Sequence, residues 1–217
     1  MNEHEVTPVP PPGTVELLRE YNGLFVGDTT KKEVYFTFDL GYEAGYTNDV
    51  LDVLKKNDIR AIFFLCGHYL TEEAHVRRML DEGHVIGNHT DKHRDLPTLS
   101  VEAMRKDILD FDVMYKEKFV DAAPITYFRP PKGRISETVL RETHALGLKT
   151  VMWSGACVDW GKEPIDAQKN ADKLTRRVHP GCVYLFHIAN SGMAPMLELL
   201  ISQIGEKGYK VGDATLL

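Results

Sequence analysis

The chain has 217 residues, of which 43% are hydrophobic and 27% charged, an ordinary globular composition that argues against extensive disorder. The formal net charge of -6 gives no sign of a nucleic-acid-binding surface. No apolar run approaches the roughly 20 residues of a membrane span, and no basic-then-apolar leader marks a secretory signal at the start. The length predicts a single domain with a sizeable core.

The first residues are expected to lie outside the main domain. Residues 1–13 are polar and rich in proline, which is typical of an extended lead-in. Val15–Tyr21 has the apolar spacing of a short helix, which we expect to pack as an accessory helix. The predicted organisation is therefore an N-terminal extension over residues 1–30 and one main domain over residues 31–217.

From residue 31 onward, short apolar runs alternate with longer amphipathic segments, the pattern of β/α units around a parallel sheet. The predicted strands are Val34–Phe38, Ala61–Leu65, Val85–Ile86, Thr126–Phe128, Lys149–Trp153, Cys182–Phe186 and Tyr209–Val211. The predicted helices are Asn48–Lys56, Glu72–Glu82, Ser100–Phe119, Ser136–Leu146, Asp166–Val178 and Ala194–Lys207. An open doubly wound sheet and a closed barrel are hard to separate by pattern alone. For about seven units with short connections, we favour an α/β fold with an irregular (β/α)7-type barrel.

Polar residues follow five of these strands, directly or in the loop just beyond. They are Asp39, His89 with His93, Arg129, Asp159 and His187. In α/β barrels, the carboxyl ends of the strands and the loops beyond them build the active site. Each residue has a simpler interpretation as a helix cap, a surface cation or a turn residue. Their agreement at one end of the sheet is hard to attribute to chance, and we predict an active site at this rim.

The pair of histidines in GHVIGNHTDKH indicates a metal site. His89 and His93 are four positions apart, and if the chain becomes helical after the strand they lie on one helical face, about 5–6 Å apart at Cβ. Two imidazoles at that separation can reach one ion at about 2.0–2.1 Å. The simpler alternative is a capping or surface feature.

The cysteines indicate neither a disulfide framework nor a nucleophile. There are three, an odd number, and Cys66 and Cys182 stand in apolar runs where a small core residue is expected. We find no cysteine at a strand end beside a histidine at a suitable spacing, which argues against thiol catalysis. A GxSxG elbow and a phosphate-binding glycine loop are also absent from the sequence.

The rim residues suit metal-assisted hydrolysis. A Zn²⁺-type ion polarises a carbonyl and lowers the pKa of water toward about 7. A nearby carboxylate takes the proton, and a histidine on the far side donates one to the leaving nitrogen or oxygen.

At these residues the chain resembles the polysaccharide deacetylase family (NodB-homology domain, carbohydrate esterase family 4), from about Lys31 to about Asp213. The family motif TFDDG is TFDLG at residues 37–41, and H[ST]xxH is HTDKH at residues 89–93. RxPxG is RPPKG at residues 129–133, DxxDW or DxxSW is ACVDW at residues 156–160, and LxH is LFH at residues 185–187. The resemblance implies the NodB-homology fold and carbohydrate N-deacetylation.

The resemblance also implies a role for each matched residue. Asp39 is similar to the general base and Arg129 to the arginine that orients it. His89 and His93 resemble the metal ligands, and His187 the general acid that protonates the leaving amine. The substrate-binding positions are the backbone N–H of Lys132 as an oxyanion donor, Trp160 as a wall of the sugar groove, and Leu185 in the pocket for the acetyl methyl group.

Two positions depart from the family pattern. Leu40 stands where most members have an Asp that is the third metal ligand, so a bound divalent cation, expected to be Zn²⁺, would be held weakly by two histidines plus water, or with Asp91 or another group. Ala156 stands where most members have an Asp that tunes the acid histidine. Asp159 is the nearest carboxylate that could replace it.

Both departures, together with the run FDLGYEAGYT, resemble the N-acetylmuramic acid deacetylase branch of the family. This resemblance implies removal of the acetyl group from muramic acid in peptide-free peptidoglycan strands. The freed amine can then close to the muramic δ-lactam of spore cortex. It also implies a location outside the cytoplasmic membrane, with glycan strands as partner, and we expect a monomer.

Two other functions remain open. One is deacetylation of N-acetylglucosamine polymers such as chitin oligomers, whose enzymes are expected to keep the missing Asp. The other is a catalytically weak glycan-binding module that lost its metal, which Leu40 suggests. The intact acid and base residues argue against the second.

Overall fold

The computed structural model describes residues 7–161 and 163–217, which form one parallel sheet surrounded by helices. The strands in this part of the chain are β1 (Glu33–Leu40), β2 (Ile62–Leu65), β3 (Val85–Asn88), β4 (Tyr127–Phe128), β5 (Lys149–Thr150), β6 (Gly155–Ala156), β7 (Cys182–Phe186) and β8 (Lys210–Val211). The α-helices are α1 (Thr14–Glu20), α2 (Thr47–Lys56), α3 (Glu73–Asp81), α4 (Val101–Lys118), α5 (Glu137–Ala145), α6 (Ala167–Thr175) and α7 (Met193–Glu206).

The sheet curls into an incomplete barrel. Its strand order is β5-β4-β3-β2-β1-β7-β6, with β8 beside β1, and the described strand pairs are all parallel. The two outermost strands of this order, β5 and β6, follow each other in the chain and are joined only by residues 151–154, so the two edges of the sheet must approach each other. This arrangement confirms the predicted irregular barrel. Strand β6 was not predicted because GA is too short and too small to give a strand pattern.

Side chains alternate between the two faces of each strand, as a pleated strand requires. Phe36 and Phe38 of β1 belong to the large core between the sheet and the helices. Tyr35, Phe64 and Val183 belong to a second cluster on the inner face of the curled sheet. Residues two or four positions further along the same strands therefore also project to the inner face. At the carboxyl end of the sheet, this alternation determines which side chains can meet.

Most helix boundaries agree with the predicted ones to within one or two residues, and three of the helices begin at a side-chain cap. Ser100, Ser136 and Asp166 each accept a hydrogen bond from the backbone N–H three residues on, at the starts of α4, α5 and α6. The exception is α6, which ends at Thr175 rather than at Val178. No helix in residues 7–161 or 163–217 has both the length and the hydrophobicity that spanning a bilayer requires.

The predicted accessory helix is present as α1. It buries Leu18, and just after its end the ring of Tyr21 contacts that of His144 of α5, with centroids 6.3 Å apart. Leu24 then forms a bridge with Val151, so residues before 31 also contact the sheet. The division of the chain at residue 30 stays a prediction. The first part of the predicted lead-in, residues 1–6, lies outside the described residues.

Candidate active site

A cavity of about 710 Å³ opens at the carboxyl ends of the strands. Among the residues that line it are five predicted site residues, namely Asp39, His89, His93, Trp160 and His187. Arg129 and Asp159 are buried and contact lining residues from behind. The structure therefore brings seven of the nine predicted site residues to one place.

Asp39 is held by the buried guanidinium of Arg129. Arg129 Nη1 donates to Asp39 Oδ1 at 2.8 Å, while Nε and Nη2 donate to the carbonyls of Val151 (2.8 Å) and Met152 (3.2 Å). The guanidinium carbon also lies 4.2 Å from the centre of the Phe64 ring. Burial lowers the pKa of Arg129, and the carboxylate of Asp39 opposes that shift. A guanidinium that donates through each of its three nitrogens fixes the Asp39 carboxylate and leaves Oδ2 toward the histidines.

His89 offers one nitrogen to the cavity. Its Nδ1 lies 2.8 Å from the carbonyl oxygen of Arg129, and since a carbonyl can only accept, Nδ1 carries the hydrogen. The free lone pair is then on Nε2, which lies 3.6 Å from Asp39 Oδ2. Burial lowers the pKa of His89 to about 4, so the ring is neutral at pH 7. A neutral imidazole whose second nitrogen donates to a carbonyl is the form in which histidine binds metals.

The two histidines meet through a loop rather than a helix, which corrects the helical geometry expected from their spacing. Thr90 and His93 have φ angles of 68° and 51°, in the left-handed region that β-branched residues such as Thr rarely adopt. The rings of His89 and His93 nevertheless lie with centroids 4.9 Å apart. The two rings are therefore close together, as their spacing predicted, although a loop and not a helix connects them. Their role as metal ligands stays a prediction.

Two buried residues that the sequence analysis missed hold this loop in place. Asn88 Oδ1 accepts from the N–H of Thr90 at 2.7 Å, and Asn88 Nδ2 donates to the carbonyl of Ile108 at 2.9 Å. Asp107 of α4 accepts from the N–H of Lys92 at 3.0 Å. These contacts offset the strain of the left-handed residues. Asn88 ends β3 next to His89, a position that could have suggested its role.

Cys66 lies beside the histidines, which corrects the statement that no cysteine stands at a strand end near a histidine. It follows β2 directly and shares the inner-face parity of Phe64. Its Sγ and the ring nitrogens of His89 and His93 lie within 4.8 Å of one another. Burial, with the charges of Asp39, Asp107 and Asp91, raises the pKa of the thiol to about 12. A protonated thiol is a poor nucleophile, so thiol catalysis is still disfavoured.

Leu40 and Asp91 do not supply the missing ligand. Leu40 is buried in the core next to the cavity. The carboxylate of Asp91 lies 3.0 Å from Lys92 Nζ. Among the described residues, the histidine pair is grouped with Cys66 and not with Asp91.

His187 is paired with Asp159, as expected for the carboxylate nearest to the departure at Ala156. His187 Nδ1 donates to Asp159 Oδ1 at 3.0 Å, and the His187 backbone N–H donates to Oδ2 at 2.7 Å. Burial lowers the pKa of His187, but the hydrogen bond to Asp159 and the charges of Asp159 and Asp39 outweigh it and raise that pKa overall. A histidine with a raised pKa keeps its proton near neutral pH and can serve as an acid.

The three predicted substrate-binding residues lie in different surroundings. Trp160 lines the cavity with 64% of its surface exposed, and Tyr42, which the sequence analysis missed, lines it with 62% exposed. Lys132 lies in a short 3-10 helix with φ 60°. Burial lowers the pKa of His93, and the nearby charge of Lys132 lowers it further. Leu185 is buried in β7 two residues before His187, on the same strand face.

The donor set fits a divalent cation, since it combines two imidazoles, one with a defined tautomer, and a sulfur atom. On one side lies a carboxylate fixed by arginine, and on the other a histidine whose proton is stabilised by a second carboxylate. The arrangement can bind a carbonyl substrate between a base and an acid, which is the requirement for amide hydrolysis.

Known proteins that resemble this chain also catalyse amide hydrolysis, namely deacetylation of carbohydrates. The polysaccharide deacetylase family model matches residues 26–151. The chain is 40% identical over 197 residues to the peptidoglycan-N-acetylmuramic acid deacetylase PdaA of Bacillus subtilis, with 89% of this chain and 74% of that protein covered. It is 32% identical over 198 residues to a peptidoglycan-N-acetylglucosamine deacetylase of Bacillus cereus, with 89% and 70% covered.

The solved structure of Bacillus subtilis PdaA, a family 4 carbohydrate esterase, matches with a TM-score of 0.91 and 35% identity over 99% of this chain and 92% of that one. The fold, the site and these similarities agree. The chain belongs to the polysaccharide deacetylase family, a family of carbohydrate N-deacetylases.

Proposed function

We propose that the protein removes the N-acetyl group from N-acetylmuramic acid in peptide-free peptidoglycan strands. One observation supports this reaction above the others. A base held by arginine (Asp39–Arg129) and an acid held by a carboxylate (His187–Asp159) meet at one cavity beside two histidines. The similarity to PdaA, named a peptidoglycan-N-acetylmuramic acid deacetylase, supports the substrate.

In this proposal Asp39 is the general base. Its Oδ1 is engaged by Arg129, so Oδ2 takes the proton from the attacking water. Removing either partner leaves an unpaired buried charge.

His187 is the general acid. Its Nδ1 donates to Asp159, which leaves Nε2 as the nitrogen that gives a proton to the leaving amine. The backbone N–H of Lys132 donates to the oxygen of the tetrahedral intermediate, a contribution often near 3 kcal/mol in other hydrolases. The charge of Asp159 stabilises the imidazolium until the proton is transferred.

His89 and His93 would hold the divalent cation, which we propose to be Zn²⁺. When bound, such an ion polarises the acetamide carbonyl and lowers the pKa of water. With only two protein ligands the ion would be weakly held, because catalytic zinc sites usually keep three.

The sugar lies across the open part of the cavity. Trp160 forms one wall of the groove through its exposed indole ring. Leu185 does not line the cavity itself; it is buried two residues before His187 on the same strand face, and we propose that it lies behind the pocket for the acetyl methyl group. The freed amine can then condense with the lactyl carboxyl group, with loss of one water molecule, to give the muramic δ-lactam of spore cortex. We propose that the protein acts as a monomer outside the cytoplasmic membrane, with glycan strands as its partner.

A second candidate is deacetylation of N-acetylglucosamine. The similarity to the Bacillus cereus peptidoglycan-N-acetylglucosamine deacetylase supports it, while Leu40 in place of the usual Asp favours the muramic acid substrate. A third is a glycan-binding module with little catalysis, which Leu40 suggests.

The test is acetate release from peptide-free peptidoglycan strands and from chitin oligomers, with and without added Zn²⁺, with the products read by mass spectrometry. We expect loss of acetyl from muramic acid. Release from chitin oligomers alone would move the substrate to N-acetylglucosamine. Silence on both, with zinc present and strands bound, would show a binding module.

Asp39→Asn separates catalysis from binding. The amide keeps an oxygen that accepts from Arg129 but cannot take a proton, so hydrolysis should fall by at least about a hundredfold, the scale of general base catalysis. Glycan binding should survive. Asp49→Asn, at an exposed position on α2, is the matched control and should change neither.

A further inference from the structure

Three potential ligand atoms meet at the cavity, and one of them is not assigned by the two-histidine site above. The Sγ of Cys66 and the ring nitrogens of His89 and His93 lie within 4.8 Å of one another. All three residues stand at the carboxyl ends of neighbouring strands β2 and β3 or in the loop after them.

Cys66 is also the direct neighbour of the position where the family ligand is missing. Its backbone N–H donates to the carbonyl of Leu40 at 2.9 Å, which extends the β1–β2 pairing by one step. The thiol therefore approaches the histidines from the strand beside the one that carries Leu40.

We propose that Cys66 is the third protein ligand of the divalent cation, so that this chain holds it in a Cys-His-His site. This proposal rests on the proposed function for the presence of a metal, and it changes how the metal is held. The expectation of weak binding by two histidines is then replaced by that of a full catalytic set of three protein ligands with one open position.

The surroundings of the sulfur separate Cys66 from the other cysteines. All three are free thiols. Cys182 lies on the outer face of β7 within the large core, and Cys157 contacts Met196 Sδ at 3.9 Å. Cys66 instead lines the cavity, and within the described residues its thiol makes a long S–H contact of 3.7 Å to the carbonyl of His89.

Ligation replaces that weak hydrogen bond by a metal–sulfur bond. The thiol loses its proton to solvent, so each cation bound through Cys66 releases one proton, and the thiolate offsets one of the two charges of the ion. Zn–S and Zn–N bonds of about 2.3 and 2.0 Å can join the three atoms after a small inward rotation of the side chains. No change of oxidation state is involved.

The sulfur also selects the metal. Thiolate with imidazole favours Zn²⁺ and Co²⁺ over the oxygen-seeking cations Mg²⁺ and Mn²⁺. A site in which oxygen replaces the sulfur discriminates less. The proposal thus predicts that this chain prefers thiophilic ions. A site of two histidines and water, which the replacement of Asp by Leu40 would otherwise leave, would not have this preference.

The experiment is cobalt substitution of the full chain, which needs no glycan. Protein freed of metal with a chelator is titrated with Co²⁺ and followed by absorption, because a cobalt–thiolate bond gives a charge-transfer band in the near ultraviolet. The wild type should show this band with one Co²⁺ per chain. Cys157→Ala is the matched control and should keep it.

Cys66→Ala should lose the band and bind Zn²⁺ at least about tenfold more weakly in a competition titration, a change of about 1.4 kcal/mol. Cys66→Ser serves if the alanine variant fails to fold by circular dichroism, and should also lack the band. Cobalt bound by the wild type without a thiolate band, or a band that survives in either folded variant, would overturn the proposal. Neither result would affect the proposed deacetylation, which is measured separately.

Discussion

At the scale of single residues, the ionisation of the site depends on pairs of groups rather than on isolated ones. His187 shows this clearly. Burial by itself lowers the pKa of His187, yet Asp159, bonded to both its Nδ1 and its backbone N–H, raises that pKa overall. An acid of this kind is active while protonated, so activity should fall as the pH rises through the pKa of His187.

Asp159→Asn should move the alkaline limb of the pH profile of kcat to lower pH. The amide can still accept a hydrogen bond from Nδ1 but carries no charge, so the imidazolium loses its main stabilisation. We also expect kcat at pH 7 to fall by about tenfold or more. The pKa of His187, followed by NMR, should fall together with the limb. A limb that stays in place while the NMR pKa falls would show that His187 is not the acid.

Leu40→Asp should supply an oxygen ligand and raise the affinity for Zn²⁺. The side chain of Leu40 borders the same cavity as the two histidines, so a carboxylate there is within reach of an ion held by them. The sharper form is the double variant Cys66→Ala with Leu40→Asp, which should recover the affinity that Cys66→Ala loses. Isothermal titration with Zn²⁺ measures both. If the folded single variant binds no more tightly than the wild type, the placement of Leu40 beside His89 and His93 is wrong.

At the scale of elements, the position of Asp39, the proposed general base, depends on close packing between strands β2 and β3. A Cβ added at Gly87 of β3 would lie 2.4 Å from Phe64 Cδ1 and 2.6 Å from Cε1. The Phe64 ring is fully buried and stacks on the guanidinium of Arg129. The absence of a side chain at Gly87 therefore gives the Phe64 ring the space it needs to support Arg129, which orients Asp39.

Gly87→Ala should lower the free energy of unfolding by about 1–3 kcal/mol, the usual cost of overpacking, and should also reduce kcat because Arg129 shifts with the ring. Urea unfolding and acetate release test the two effects. Gly205→Ala in α7 is the control, since a Cβ there meets nothing within 4 Å and an alanine favours the helix. A Gly87 variant as stable as the wild type would contradict the packing argument.

At the scale of the whole molecule, stability should depend on pH through histidines that are buried uncharged. His84 Nδ1 accepts a hydrogen bond from the N–H of Ala61 at 3.1 Å, and burial lowers the pKa of His84 to about 4. Its unfolded value is near 6.5. Protonation at Nδ1 would remove this acceptor. The unfolded chain thus binds the proton more readily between these two values, and stability is lost as the pH falls through this range.

We therefore expect the free energy of unfolding of metal-free protein to be lower at pH 5 than at pH 7, with His84 contributing a slope of up to about 1.4 kcal/mol per pH unit. His84→Asn places an amide oxygen where Nδ1 accepts, and it should remove that share of the loss. His144→Asn, at an exposed position, should leave the loss unchanged. Equal pH dependence in all three proteins would show that His84 does not carry the effect.

The local sequence determined much of this protein. The alternation of apolar runs and amphipathic segments predicted most helices and strands, because each period is compatible with few other local structures. The strand-end positions of Asp39, Arg129 and His187 predicted a shared rim, because parallel strands bring their carboxyl ends together. The motifs then predicted the family, which is confirmed, and the roles of the individual residues stay predictions.

Tertiary structure decided what no local pattern contains. The strand order places β5 and β6, which are consecutive in the chain, at opposite edges of the sheet. The left-handed loop that brings His93 to His89 depends on hydrogen bonds to Asn88 and to Asp107 of a distant helix. The position of Cys66 beside two histidines is the clearest case. A cysteine in an apolar run has the same local signal whether it faces the core or a cavity, and only the pairing of β2 with its neighbours determines which.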